Sequence, residues 1–398
     1  MNLVVQKYGG SSVASPERIK KIAQKISDKV SKGHKVLIVV SAMGKTTDNL
    51  IKLAKEITDT PDPRELDMLL STGEQISVSL LSMAIQALGL KSKSLNAFQA
   101  GIRTTGNFTE AKIVSFDREK ILQFMEELDV LVITGFQGVT DDGEMTTLGR
   151  GGSDTSAVAL AAALGIDCEI YSDVPGIYTV DPRLHPGAKK VKYITYDEML
   201  EMASLGAKVL HSRSVEIAKK FGIKIYCGSS FQDEEGSIVA DESVVIEQPV
   251  VTGCSIMENQ TQVFIRNLPV DYSRIKDLFA KVATEGLNVD MISIINTGTN
   301  LEVSFTIIQE KTKHIDAALK KVLSDLEDWN AEFNSGFIKL SVVGIGMRSG
   351  IGVASDFFKA LENIPIRLVT TSEIAISCLI EEAYKQQAVD AIVKEFGL

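Results

Sequence analysis

The sequence predicts an α/β protein: a mostly parallel sheet covered by helices on both faces, followed by two smaller β-α-β-β-α units. Three observations carry this reading. Up to about residue 230, short β-branched runs alternate with stretches of helical period. Several of those runs are unbroken, as strands buried on both faces require. Beyond a polar, acidic stretch at 228–249, strand and helix patterns recur twice in the same order. A chain of 398 residues, 44% hydrophobic and 24% charged, has the length for two to three domains and the apolar content for sizeable cores.

The elements follow in order. Strands are expected at Leu3–Gln6, Val36–Val40, Val130–Ile133, Cys168–Ser172 and Lys224–Cys227, and helices at Pro16–Lys32, Asp67–Leu88, Phe116–Glu127 and Ser156–Leu164. The first helix has clear local logic. Ser15 caps it, Pro16 suits its first position, Glu17 faces the positive end of the dipole, and Gly33 stops it. Ile19, Ile22, Ala23, Ile26 and Val30 form its apolar stripe. A domain boundary is expected in 228–249, with the first domain at 1–235.

In the first C-terminal copy, Thr261–Asn267 reads as a strand, Tyr272–Glu285 as a helix, Val289–Ile295 and Leu301–Ile308 as strands and His314–Leu326 as a helix, with Trp329–Asn334 closing it. In the second, Phe337–Val343, Ile366–Thr371 and Ala375–Glu381 read as strands, and Val353–Asn363 and Tyr384–Phe396 as helices. That copy lacks a last strand, whereas Val250–Ile256 precedes the first copy without a partner. An apolar strand needs neighbours. Val250–Ile256 is therefore expected to complete the second sheet, so that 261–334 is inserted between 249–257 and 336–398.

Composition excludes several classes. A net charge of −10 argues against bulk nucleic-acid binding, which needs a basic face. No apolar run in the sequence approaches the ~18 residues of a membrane helix, and the first residues lack the pattern of a secretory signal. The four cysteines are far apart with no ligand spacing, and read as buried reduced thiols of a cytoplasmic protein. No metal-ligand cluster is expected.

Five loops carry the chemistry. The stretch from Thr147 to Ala157 (TLGRGGSDTSA) joins a glycine-rich turn to a helix start and adds Arg150, Ser153 and Asp154. Free N–H groups there suit an anion. Lys7 to Ser12 (KYGGSS) sets a lysine beside two glycines that permit close backbone approach; it is not the Walker order, whose lysine follows the glycines. Val39 to Asp48 opens a strand end into Ser41 and Thr47, at the edge where ligands of open α/β sheets bind. Leu70 to Glu74 sets one carboxylate among apolar neighbours. Tyr171 to Arg183 supplies Ser172, Asp173, Tyr178 and Arg183, and Lys208 adds a cation downstream. His211 reads as structural.

In this order and combination the loops resemble the aspartokinases of the amino acid kinase family, and the two C-terminal units resemble its paired ACT domains of βαββαβ type. The resemblance implies a three-layer αβα catalytic fold, and transfer of the ATP γ-phosphate to the side chain of L-aspartate with magnesium. Carried over by motif, Lys7 and Asp154 are catalytic, while Arg150 and Glu74 grip the aspartate carboxylate and ammonium with Ser41, Thr47 and Ser153 assisting. Lys7, Gly9, Gly10 and Ser11 line the phosphates, and Ser172, Asp173, Tyr178, Arg183 and Lys208 hold ATP. Feedback by lysine or threonine is implied at Asn288, Val289, Asp290, Met291 and Ser293 and at Thr371, Ser372 and Glu373, in a dimer or tetramer assembled through the ACT domains. The segment Leu268 to Ser273 lacks the Pro-Gly turn of many members, so the effector stays open. Gly344 to Gly350 mimics a dinucleotide fingerprint, but too little chain follows for such a domain. A silent amino-acid sensor, or a kinase of another acidic amino acid, is the alternative.

Overall fold

The computed structural model describes residues 2–207, 209–241 and 249–398. These divide into two compact units, one built from 2–178, 190–204 and 209–241 and the other from 179–189, 205–207 and 249–398.

The first unit begins with β1 (Leu3–Tyr8), α1 (Pro16–Ser31), β2 (Lys35–Val40), α2 (Thr46–Ile57), α3 (Pro63–Leu70), α4 (Thr72–Gln86), β3 (Ser92–Leu95), α5 (Ala97–Ala100), β4 (Ile102–Thr104) and β5 (Ile113–Phe116). It continues through α6 (Arg118–Glu127), β6 (Val130–Thr134), β7 (Gln137–Val139), β8 (Met145–Thr147), α7 (Gly152–Leu164), β9 (Cys168–Ser172) and β10 (Ile177–Tyr178). Its last elements are β11 (Lys190–Val191), β12 (Tyr193–Thr195), α8 (Tyr196–Ser204), α9 (Ser212–Phe221), β13 (Ile225–Ser229) and β14 (Ser237–Ala240).

Eight strands form the central sheet in the order β12-β14-β13-β9-β1-β2-β6-β3. Every neighbouring pair is parallel except β13 with β14. The pleat sorts side chains between two covering layers. Tyr8, Val36, Ile38 and Val40 pack under α1 and α4 with Ile19, Ile22, Ile26, Val78, Leu81 and Ile85. Fully burying such a side chain contributes roughly 1.5–3 kcal/mol. The alternate residues face α7, which lies against β1, β2 and β9. The result is the three-layer αβα arrangement.

Four corrections to the sequence reading arise here. The acidic stretch at 228–249 does not end the domain at 235. Behind Asp233–Glu235, the short run Ser237–Ala240 enters the sheet as β14, and residues 242–248 lie outside the described residues. The expected helix Asp67–Leu88 is two helices meeting at Ser71, whose N–H still bonds the Asp67 carbonyl at 3.0 Å. Together Pro63–Gln86 is long and apolar enough to cross a membrane, with mean hydropathy 1.3, yet half of that stretch is buried in the fold. Phe116 ends a strand rather than starting a helix, because β5, β4, β7 and β8 form a second, four-stranded sheet of very short strands.

The second unit contains β15 (Gly253–Pro269), α10 (Tyr272–Thr284), β16 (Asp290–Asn296), β17 (Asn300–Ile308), α11 (Thr312–Val322), β18 (Asn330–Val343), α12 (Val353–Ala360), β19 (Ile366–Thr371), β20 (Ala375–Glu381) and α13 (Lys385–Phe396). One antiparallel sheet, in the order β16-β17-β15-β18-β20-β19, serves both β-α-β-β-α copies. Gly253–Met257 lies opposite Lys339–Val343, so the expected ladder between Val250–Ile256 and the second copy is present. Yet Val250–Ile256 and Thr261–Asn267 are not separate strands. With no glycine or proline between them, β15 runs through, jogged by Asn259 in the left-handed region (φ 56°). Likewise β18 crosses from Asn330 to Val343 through Gly336 (φ 85°). Helices α10 and α11 cover one core, around Val263, Leu301 and Phe305; α12 and α13 cover the other, around Leu340, Phe357 and Cys378. Val180, in the 179–189 segment, is buried in that second core. All four cysteines are free and buried.

Candidate active site

The C-terminal ends of β1, β2, β6 and β9 are neighbours in the sheet, and the loops that follow them meet above it. Alternation sends Tyr8 down to α1 and Lys7 up to α7, where its ammonium lies 2.6 Å from Asp154 Oδ1. The approach is an ion pair, set off the line of a hydrogen bond. Asp154 sits in the first turn of α7, whose cap residue Gly151 has φ 69° and no capping side chain. Within that turn the Gly152 N–H bonds the Gly149 carbonyl at 3.0 Å, which leaves the N–H groups of Ser153 and Asp154 to face an anion.

Close backbone approaches lock the loops together. A Cβ on Gly10 would stand 2.7 Å from the Ala42 carbonyl, and the Gly44 N–H donates to the Gly10 carbonyl at 3.0 Å. The Ala42 N–H donates to Glu74 Oε1 at 3.1 Å, and the Ser77 hydroxyl donates to the Ser41 carbonyl at 2.8 Å. A Cβ on Gly135 would stand 2.8 Å from the Cβ of Ser153. Lys7, Gly9, Gly10, Ser41, Glu74, Ser153 and Asp154 therefore converge along one chain of contacts. Ser11 belongs to the loop after β1, and Thr47 lies in the first turn of α2. Ser172 ends β9 beside β1, its hydroxyl accepting from the Val174 N–H at 3.1 Å, and Asp173 follows it.

Glu74 is the most telling group. It is 2% exposed, and its second oxygen has no partner. Burial pushes its carboxyl up to about 7, against the opposing pull of its own backbone N–H, the Ala42 N–H and the Gln137 side chain. A buried carboxylate with an open oxygen favours a cation.

The other predicted residues each have their own surroundings. Arg150 is exposed on its loop between Gly149 and Gly151. Tyr178 is half-buried in β10. Arg183 belongs to the second unit, where its guanidinium donates to Asp181 at 2.6–3.2 Å. Lys208 lies outside the described residues. His211 is structural, as read: its ring accepts from the Arg213 N–H at 3.4 Å to cap α9.

Of the expected effector positions, Asn288 and Val289 lead into β16, while Asp290, Met291 and Ser293 lie on it; Thr371 ends β19, followed by Ser372 and Glu373. Met291 takes a left-handed conformation (φ 49°), and Asp290 pairs with the buried Lys339 of β18. Met291 packs with Phe337, Leu379 and Leu368, which brings the two copies together.

Sequence reasoning missed Asp67, Gln137 and Arg213. Gln137 donates to the Ser71 carbonyl at 2.9 Å and contacts Glu74. The one available signal was Asp67 itself, an acid set among Leu66, Met68, Leu69 and Leu70.

Known proteins resemble this chain over its full length. Residues 2–229 match the amino acid kinase family, and residues 340–396 match an ACT domain. An aspartokinase of Geobacillus stearothermophilus is 44% identical over 401 residues, covering all of this chain and 98% of that protein. The structure of E. coli aspartokinase III in complex with aspartate and ADP (R-state) has a TM-score of 0.83 at 24% identity, with both chains fully covered. Its complex with lysine and aspartate (T-state) has a TM-score of 0.78 at 25% identity, again with full coverage.

Proposed function

The chain belongs to the aspartokinases of the amino acid kinase family, and from that premise we propose that it transfers the γ-phosphoryl group of ATP to the side-chain carboxylate of L-aspartate. The products are 4-phospho-L-aspartate and ADP. The observation that carries this reading is the Lys7–Asp154 pair, joined through Gly9, Gly10 and Ala42 to Oε1 of Glu74, whose other oxygen is open.

The chemistry asks little of a base. An aspartate carboxylate is ionised at neutral pH, so it attacks the γ-phosphorus without giving up a proton. The bond from that phosphorus to the β–γ bridging oxygen breaks, and its electron pair leaves with ADP. What remains is to bring two anions into line and to spread charge over a loose transition state. Lys7 neutralises charge on the moving group, and Asp154 orients Lys7. Gly10 and Ser11 offer backbone N–H groups to the phosphates, Gly9, whose N–H is held by the Tyr171 carbonyl at 3.2 Å, lets the backbone approach them, and Ser172, Asp173, Tyr178, Arg183 and Lys208 hold the rest of ATP. Arg150 takes the aspartate α-carboxylate with a fork that orients as well as attracts. Glu74 takes the ammonium, with Ser41, Thr47 and Ser153 beside it.

Among the described residues no three His, Cys, Asp or Glu side chains converge as a metal cage. That suits magnesium accompanying ATP, which keeps phosphate and water ligands and takes one or two carboxylates. Asp154, beside the open first turn of α7, is the side chain that fits. When bound, the ion supplies further neutralisation of the phosphates.

The catalytic module then covers the family-matched residues and extends through β14. The two C-terminal copies act as ACT domains that bind lysine, threonine or both through Asn288–Ser293 and Thr371–Glu373. The lysine held by the E. coli enzyme supports that reading. Assembly as a dimer or tetramer through these domains, a cytoplasmic location and a role at the first step towards lysine, threonine and methionine complete the proposal. The test is ADP release with aspartate, glutamate and N-acetylglutamate as acceptors, repeated with lysine, threonine and both. Turnover with aspartate that is lowered by an effector is expected. Lysine binding without ATP consumption points instead to a sensor, and turnover with glutamate alone to a different acceptor.

A further inference from the structure

We propose that Asp67 and Arg213 are a pair of positioning residues that hold the Thr147–Gly151 loop, and with it Arg150, at the height the substrate carboxylate requires. The inference rests on the assignment of Arg150 above, and adds two residues that touch no substrate.

Asp67 lies in α3 and is fully buried. A carboxylate removed from water is strongly disfavoured unless its oxygens are bonded. Here Oδ2 accepts from the N–H groups of Thr109 and Thr147, both at 2.8 Å, and Oδ1 accepts from the Thr147 hydroxyl at 2.6 Å. Arg213, in α9, approaches the same strands of chain. It donates to the carbonyls of Leu148 and Ala111, both at 2.7 Å. The two residues thus bridge the same pair of segments, 109–111 and 147–148. The acid collects their N–H groups and the base supplies their carbonyls, while the Ala111 N–H binds the Thr147 carbonyl directly at 2.9 Å.

Beyond Leu148 the loop has little freedom. Gly149 has φ 74°, and a Cβ there would stand 2.9 Å from the Thr109 carbonyl. Gly151 has φ 69°, and a Cβ there would overlap the His211 ring. Arg150 lies between these two glycines, and Ser153 and Asp154 follow within one helical turn. Apolar packing is the ordinary way to fix a loop; two charged clamps of opposite sign add directional bonds that set its height and tilt. Misplacing a substrate-orienting group by about 1 Å can cost about a hundredfold.

The test compares Asp67→Asn, Arg213→Met and Arg213→Lys with Arg150→Ala, alone and combined. Expected is a rise in aspartate KM of about tenfold or more for Asp67→Asn and Arg213→Met, with ATP KM within about twofold and partial recovery in Arg213→Lys. Combined with Arg150→Ala, each should add less than it does alone, because the loop then has nothing left to orient. Should Asp67→Asn fail to fold, Thr147→Val removes only the 2.6 Å bond and carries the same readout. Aspartate and ATP KM rising together, or effects that multiply fully with Arg150→Ala, would reduce both residues to general supports and overturn the inference. An unchanged aspartate KM in Arg150→Ala sinks the reading on which it rests. A raised value there, with Asp67→Asn and Arg213→Met unmoved, sinks the inference alone.

Discussion

Each unit pairs a strand lysine with an aspartate from another element, and the two pairs differ in which partner meets water. Lys7 and Asp154 are both nearly covered, 11% and 14% exposed, at the edge where the sheet loops meet. Lys339 is 5% exposed whereas its partner Asp290 is 47% exposed. When both charges are shielded, their attraction is strong and an incoming polyanion can redirect it. When one partner stands half in water, the attraction is screened and the pair serves as a brace. The brace holds the left-handed Met291 against Leu379 and Leu368. One pair is arranged to change partners; the other is arranged to keep them.

The contrast is tested first at Lys7. Lys7→Ala should lower kcat by roughly two to four orders of magnitude, the cost of losing a key electrostatic group. The melting temperature should fall as well, because the nearly covered Asp154 is left without its cation, so turnover is compared well below the melting transition of each protein. Steady-state ADP release beside a melting curve checks both, and near-normal turnover in a folded protein removes Lys7 from the mechanism.

A second, smaller effect belongs to Glu74. Its carboxyl is pushed up to about 7, above the usual range, because burial disfavours the charged form. The neutral form therefore dominates below that pH, and the ammonium of aspartate must find the charged one. Aspartate affinity should fall as pH drops through 7, by about tenfold per unit at the limit, with a proton released on binding. The pH profile of kcat/KM for aspartate reads this directly. A profile that keeps the same inflection in Glu74→Gln assigns it to another group.

The smallest effect is expected at the brace. Lys339→Met should cost about 1 kcal/mol in denaturant unfolding, because the aspartate left behind is still half-solvated. Uninhibited kcat should stay within about twofold, while the effector concentration for half-inhibition shifts. A fall in kcat like that of Lys7→Ala would erase the distinction between the two pairs.

How much was legible follows from where each signal is stored. The runs Val36–Val40 and Cys168–Ser172 could be read because burial on both faces leaves no polar residue to interrupt them. Strand β14 escaped because its four residues follow three acids, and the four-stranded sheet escaped because strands of three and four residues carry no period. The junction at Ser71 was hidden because both α3 and α4 keep a helical stripe across it. The site's glycines and charges were visible as local clusters, so Lys7, Glu74, Ser153 and Asp154 could be singled out as candidates, and the fold sets them along one chain of contacts. Asp67 was not, because its partner Thr147 lies 80 residues away and the bond exists only once the fold has formed. Arg183 lies five residues from Tyr178, yet the two fall in different units, a division that no local pattern signals.

The uninterrupted passage of β15 and β18 through both C-terminal copies has one more consequence. Neither copy can be excised, swapped or melted by itself, because each would take half of two common strands with it. The pair should unfold in a single cooperative transition, and exchange of its strand amides should follow one opening rather than two.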